Sequence, residues 1–211
     1  WVTKDLKLLS NAVNRVGSGF LEEPINIQRK DEIGDLAKNF SAMQKRLHTD
    51  YLTGLPNRYA FEQHIKATIG ECDAAETITP FTVLFFDLNN FKTINDAYGH
   101  DVGDQTLREF ALRLNSNMPK NGLAARFAGD EFVVMINNVE NKNDLEPILL
   151  KIEEALSEPL ILSDSLKLTL SAAIGAAHYP ENGVNVEQLL IVADQKMYIN
   201  KAEVKKNGNV S

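Results

Sequence analysis

The sequence predicts an α/β domain preceded by a helical hairpin of coiled-coil type, and three observations carry that reading. Near the start, apolar residues recur at spacings of 3, 4, 3, 4, first as Leu6, Leu9, Val13, Val16 and Phe20, then as Ile33, Leu36, Phe40, Met43 and Leu47. Phe81-Thr82-Val83-Leu84-Phe85-Phe86 is a near-continuous apolar run, as expected of a strand buried on both faces. Leu123 to Phe127 and Phe132 to Ile136 are strand-like runs flanking Ala128-Gly129-Asp130-Glu131, which read as a tight hairpin turn.

Composition sets the bounds. The chain has 211 residues, 44% hydrophobic and 24% charged, enough for a sizeable core and outside the disordered range. Its single cysteine, Cys72, has no internal partner and points to a reducing compartment. The net charge of −7 is uneven: eight basic and six acidic side chains lie in Trp1–His48, leaving fourteen basic against twenty-three acidic beyond. An acidic domain is a poor wrapper of a nucleic-acid backbone, so no nucleic-acid partner is expected. No stretch approaches the roughly 18 apolar residues of a membrane span.

Taken in order, the two heptad helices are separated by Gly17-Ser18-Gly19 and an extended connector, Glu22 to Ile27, and the second starts at Asp31-Glu32. Such short helices must bury their seams on each other or on a second copy. Gly54 and Pro56 stop the second helix, and Asn57 caps the next, whose apolar face includes Tyr59, Phe61, Ile65 and Ile69. The buried strand then ends in Asp87. A carboxylate there is costly to desolvate unless it meets a cation or donors, which makes Asp87 a site candidate. Gly103-Asp104 opens a helix with Leu107, Phe110, Ala111 and Leu114 inward. After the hairpin, Asp144–Leu156 reads as a helix, Pro159–Leu162 as a short strand and Leu166–Ala177 as a longer one. A last helix from Val186 to about Lys206 buries Leu189, Leu190, Ala193, Met197 and Tyr198.

Placing the strand that ends in Asp87 beside the hairpin brings Asp87 and Asp130 together, with Glu131 one residue on and the Leu88 carbonyl nearby. Hard oxygen ligands grouped this way suit Mg²⁺, which completes its shell with water and phosphate oxygens. Two such ions can clamp the attacking and leaving oxygens of a phosphoryl displacement. Cations also let an acidic domain hold a polyanionic nucleotide.

Two resemblances follow. The helix, connector, Asp31-Glu32-Ile33-Gly34, helix pattern with Pro24 in the connector resembles a HAMP domain, a parallel four-helix dimeric relay found just inside the membrane in bacterial receptors. From Thr49 onward four ordered blocks resemble the GGDEF family of diguanylate cyclases. They are Asp50-x-Leu52-Thr53-Gly54-Leu55-x-Asn57-Arg58; Phe86-Asp87-Leu88-x-x-Phe91-Lys92-x-Ile94-Asn95-Asp96-x-x-Gly99-His100-x-x-Gly103-Asp104; Arg126-x-x-Gly129-Asp130-Glu131-Phe132; and Ala193-Asp194-x-x-Met197-Tyr198-x-x-Lys201.

The resemblance implies a HAMP domain over 1–48 and a GGDEF domain over 49–211. It implies a mixed, mainly antiparallel central sheet with flanking helices, as in nucleotide cyclases and polymerase palms, behind a helical HAMP dimer. It further implies condensation of two GTP into cyclic di-GMP with loss of pyrophosphate, by a homodimer whose catalytic domains face each other. Two Mg²⁺ per site, with Mn²⁺ as a substitute, are implied. Asp87, the Leu88 carbonyl and Asp130 are the implied metal ligands, and Asp130, Glu131 and Lys92 the catalytic set. Asn95 and Asp104 would read guanine, with His100, Leu52 and Phe91 in the same substrate cluster and Lys201 and Lys205 on the phosphates. An upstream transmembrane sensor and a place on the cytoplasmic side of the bacterial inner membrane complete the expectation.

Departures from the family pattern temper it. Ala128 stands where the family has glycine, and if that position needs positive φ, alanine costs about 1 kcal/mol. Asn89 replaces an aspartate, and Val204-Lys205-Lys206 replaces Gly-Arg-Asn, turning a bidentate phosphate grip into a point charge. Pro119-Lys120-Asn121-Gly122 lacks the Arg-x-x-Asp of the family's inhibitory site, so no product inhibition is expected there. The alternative function is a degenerate GGDEF domain that binds GTP or a partner without catalysis.

Overall fold

The computed structural model describes residues 5–8, 10–11, 27, 29–75, 78–139, 141–163 and 166–208. The chain divides into two compact units, Trp1–Tyr51 and Leu52–Ser211.

In the first unit, residues 5–8 and 10–11 are helical, and helix α1 spans Glu32–His48. Asp31 caps α1 by accepting from the Gly34 N–H at 3.3 Å. Arg29 grips both Asp31 and Asp5, tying the start of α1 to the first helical segment. This guanidinium holds the Asp31 carboxyl down at about 2. The predicted seam is divided. Phe40, together with Ala37, is buried, whereas Leu36, Met43 and Leu47 stay about half exposed. The earlier seam residues Leu9, Val13, Val16 and Phe20, and Pro24 of the connector, lie outside the described residues.

The second unit is a four-stranded sheet with helices on both faces. Its elements in order are α2 (Arg58–Ala75), β1 (Phe81–Leu88), α3 (Phe91–Tyr98), α4 (His100–Asn117), β2 (Gly122–Ala128), β3 (Glu131–Asn137), α5 (Lys142–Ser157), β4 (Leu160–Ser163), β5 (Leu166–Leu168), β6 (Ala172–Tyr179) and α6 (Val186–Gly208). The strand order is β2-β3-β1-β6 with every ladder antiparallel, and an isolated parallel bridge joins Asn57 to Arg126. β4 and β5 form a separate two-stranded ribbon. The side chains of β1 alternate between two cores. Leu84, Phe86 and Leu88 pack with α4 and α5, and Val83 and Phe85 with α2 and α6.

The small residues of β6 explain how α6 is placed. A Cβ at Gly175 would lie 2.0 Å from the Ala193 carbonyl oxygen and 2.2 Å from the Met197 nitrogen, so glycine lets the helix press onto the sheet. That close approach carries the end of α6 over the end of β1.

Several sequence expectations change, one being that α4 starts at His100, ahead of Gly103. The run read as one strand from Leu166 breaks after Leu168 into β5 and β6. The Asn- and Asp-rich stretch after β1 contains a helix of its own, α3. Tyr198, assigned to the buried stripe of α6, is 72% exposed.

Candidate active site

The ends of β1 and β3 bring the carboxylates together through register. Asp87 and Glu131 are directly paired across the antiparallel ladder, which puts their side chains on the same face, and the Leu88 N–H donates to the Asp130 carbonyl at 3.2 Å. The turn between β2 and β3 consists of Gly129 and Asp130, with Gly129 at a φ of 48°. Glycine supplies that left-handed conformation without strain. Ala128 is not among the described positive-φ residues and closes the ladder opposite Glu131. The feared backbone cost of alanine therefore does not arise: the positive φ falls on the next residue. Arg126 donates twice to the Gly129 carbonyl, at 3.0 and 2.8 Å, and so braces the turn.

Electrostatics mark this corner. Asp87 is 9% exposed and receives the Lys201 ammonium at 2.5 Å. Burial, and then the charge of Asp87, pushes the Asp130 carboxyl above its ordinary value. Glu131 is raised by burial and then by Asp87, Asp130 and Asp194, against the pull of Lys201. Asp194 belongs to the fourth of the family blocks but has no role in the sequence reading. The spacing of seven residues to Lys201 puts both on one face of α6 and was the signal that could have found it. Glu131 and Asp194 also line a cleft of about 580 Å³ between α2 and α6, floored by Phe85, Phe127 and Leu190. Arg58, at its rim, stacks over Phe127 at 4.3 Å and pairs with Glu62 at 2.7 Å.

This surplus of negative charge fits a cation. Among the described residues no three His, Cys, Asp or Glu side chains converge as a ligand set. Two carboxylates and a carbonyl leave half of an octahedral shell to water and phosphate, which is how Mg²⁺ is usually held.

The remaining candidates sit on α3 and α4. Asn95 is half-buried, with its side chain lying over Gly103, the residue before Asp104. Among the described residues neither the Asn95 amide nor the Asp104 carboxylate has a hydrogen-bond partner within the protein, so both keep their bonding capacity. Phe91 opens α3 and packs against the α4–α5 core, and Leu52 lies within that core at 9% exposure. Lys92 and His100 are exposed on α3 and at the start of α4. The Lys205 side chain lies outside the described part of the chain. Asn89 faces the β5–β6 connection: its N–H donates to the Ser171 carbonyl at 2.9 Å and its amide to the Ser171 hydroxyl at 3.0 Å.

A family model described as "Diguanylate cyclase, GGDEF domain" matches residues 47–207, and the HAMP domain model matches residues 1–49. The chain belongs to the GGDEF family. Its GGDEF domain follows a HAMP domain. It is 36% identical over 165 residues to diguanylate cyclase TpbB of Pseudomonas aeruginosa, covering 78% of this chain and 38% of that protein. It is 38% identical over 161 residues to the uncharacterized protein YhcK of Bacillus subtilis, covering 75% of this chain and 44% of the relative. The chain thus spans less than half the length of these curated relatives. A solved GGDEF domain of TpbB superposes with a TM-score of 0.68 at 36% identity, covering 74% of this chain and 90% of that one. The GGDEF domain, with its antiparallel sheet and flanking helices, carries the carboxylate corner.

Proposed function

We propose that this chain is the output end of a membrane receptor, a HAMP relay over residues 1–48 driving a diguanylate cyclase over residues 49–211. The observation that carries the reading is the cross-strand pairing of Asp87 with Glu131 beside the Asp130 turn, with Lys201 bonded to Asp87. Asp87, the Leu88 carbonyl and Asp130 would hold Mg²⁺. The ions, when bound, neutralise phosphate charge and lower the cost of forming the 3′-alkoxide.

The protein's own groups do the rest. Asn95 and Asp104 hold guanine by its ring edge, with His100 and Phe91 bordering the base. Lys201, Lys205 and Lys92 offset triphosphate charge. Two domains face each other, each presenting one GTP. The 3′-oxygen of each nucleotide attacks the α-phosphorus of the other, pyrophosphate leaves twice, and the displaced protons pass to the carboxylate corner. The half-exposed Leu36, Met43 and Leu47 of α1 form the face on which a second copy pairs. Rotation or sliding of that pairing sets whether the two GTP meet. An upstream transmembrane sensor would place the chain on the cytoplasmic side of the bacterial inner membrane.

Incubating the purified chain with GTP and Mg²⁺, and separately a forced dimer, tests the proposal by chromatographic detection of cyclic di-GMP. Product formation is expected. GTP bound without product in the forced dimer would overturn catalysis and leave a nucleotide-binding regulatory module.

A further inference from the structure

We propose that Gly103 is a specificity-positioning residue: by withholding a Cβ it seats the Asn95 amide beside Asp104, at the edge of the base pocket. The inference rests on the reading of Asn95 and Asp104 as the guanine-recognising pair and names what sets their geometry.

Gly103 lies buried within α4, where glycine destabilises a helix by roughly 0.5–1 kcal/mol relative to alanine. It is not among the positive-φ glycines, so no backbone conformation requires it. What requires it is space. A Cβ at this position would stand 1.9 Å from Asn95 Oδ1, 3.0 Å from its Cγ and 3.4 Å from Phe91 Cζ. Two helices, α3 and α4, therefore meet at a point where a side-chain amide occupies the volume of the missing methyl.

The clash is with the far end of a side chain and not with backbone. The cheap response to a methyl group is for Asn95 to turn away, leaving α3 and α4 in place. The Asn95 amide has no hydrogen bond to another described residue, and the space it occupies against α4 is the space that the missing Cβ of Gly103, the neighbour of Asp104, leaves open. A displaced amide no longer faces the base, and guanine loses one of its two readers while the phosphate grip at Lys201 and the carboxylate corner is untouched.

The experiment is a double-mutant cycle on Mg²⁺-dependent binding of GTP and ATP by the full chain, using Gly103→Ala, Asn95→Ala and the double variant. Gly103→Ala is expected to weaken GTP about tenfold, the worth of one lost hydrogen bond to the base, with ATP binding and thermal midpoint not lowered. In the Asn95→Ala background the same substitution is expected to cost less than twofold, because the group it displaces is gone. GTP affinity unchanged by Gly103→Ala, or an equal loss in both backgrounds, would overturn the inference. So would a Gly103→Ala chain that unfolds while the double variant folds, since the clash would then not be absorbed by the side chain. An Asn95→Ala chain that binds GTP like the wild type would instead overturn the guanine-reading assignment, and this inference with it.

Discussion

Strand β1 carries two buried polar side chains, Thr82 near one end and Asp87 near the other, and their surroundings are opposite in kind. Thr82 is fully buried and satisfied. Its hydroxyl donates to the Val139 carbonyl at 3.0 Å, which leaves an oxygen lone pair to accept from His178 Nδ1 at 2.7 Å. At the other end Asp87 meets one ammonium, and its charge adds to burial in raising the proton affinity of two neighbouring carboxylates, Asp130 and Glu131. One end closes its polar groups on themselves. The other gathers like charge that the fold alone leaves under-compensated, and this is the end where a cation and a phosphate would be at home.

Breaking the two ends should therefore give different phenotypes. Asp87→Asn is expected to have the largest effect, lowering cyclic di-GMP formation by about 10³ or more in a steady-state assay while the far-UV spectrum is kept. Thr82→Val removes both hydroxyl bonds and strands the Val139 carbonyl. It is expected to cost about 1–3 kcal/mol in urea unfolding and to leave turnover per folded molecule unchanged.

A smaller effect is expected from His178, held below its usual 6.5 by burial and then by the Lys196 charge, against the opposing pull of Glu181. The unfolded chain takes up this proton first as pH falls. The stability contributed by neutral His178 is complete above 6.5 and is lost as pH drops from there through the folded-state value. The urea midpoint should accordingly fall between pH 7.5 and 5.5, and fall less in His178→Asn. The smallest effect is assigned to Ala128→Gly. With no positive φ to relieve, glycine should leave activity within about twofold and cost about 0.4–1 kcal/mol through the unfolded chain.

Much of this contrast was legible in the sequence. A six-residue, largely apolar run leading into Asp87, and the Ala128–Glu131 turn between two strand-like runs, point to two carboxylates at neighbouring strand ends. Asn57 caps α2 as expected, accepting from the Ala60 N–H at 3.0 Å. What was not legible depends on contacts distant in the chain. Helix α3 is eight residues long with no buried residue, so Phe91, Ile94 and Tyr98, though spaced as on one helix face, span too few turns to separate it from a loop. The break between β5 and β6 is fixed by Ser171 bonding back to Asn89, 82 positions earlier. At Ala128 the sequence locates a turn but not which of its residues takes the left-handed conformation, which falls on Gly129. The apolar seam of α1 was legible as a seam, yet not which half faces its own chain.

The Asp87–Asp130 corner is expected to hold a divalent cation together with the nucleotide. Electron paramagnetic resonance of Mn²⁺ added to the chain with a non-hydrolysable GTP analogue measures this directly. The wild type is expected to bind Mn²⁺ in a nucleotide-dependent manner, and Asp87→Asn to lose that binding. Equal nucleotide-dependent binding of Mn²⁺ by both proteins, or none by the wild type with the analogue bound, would contradict the account.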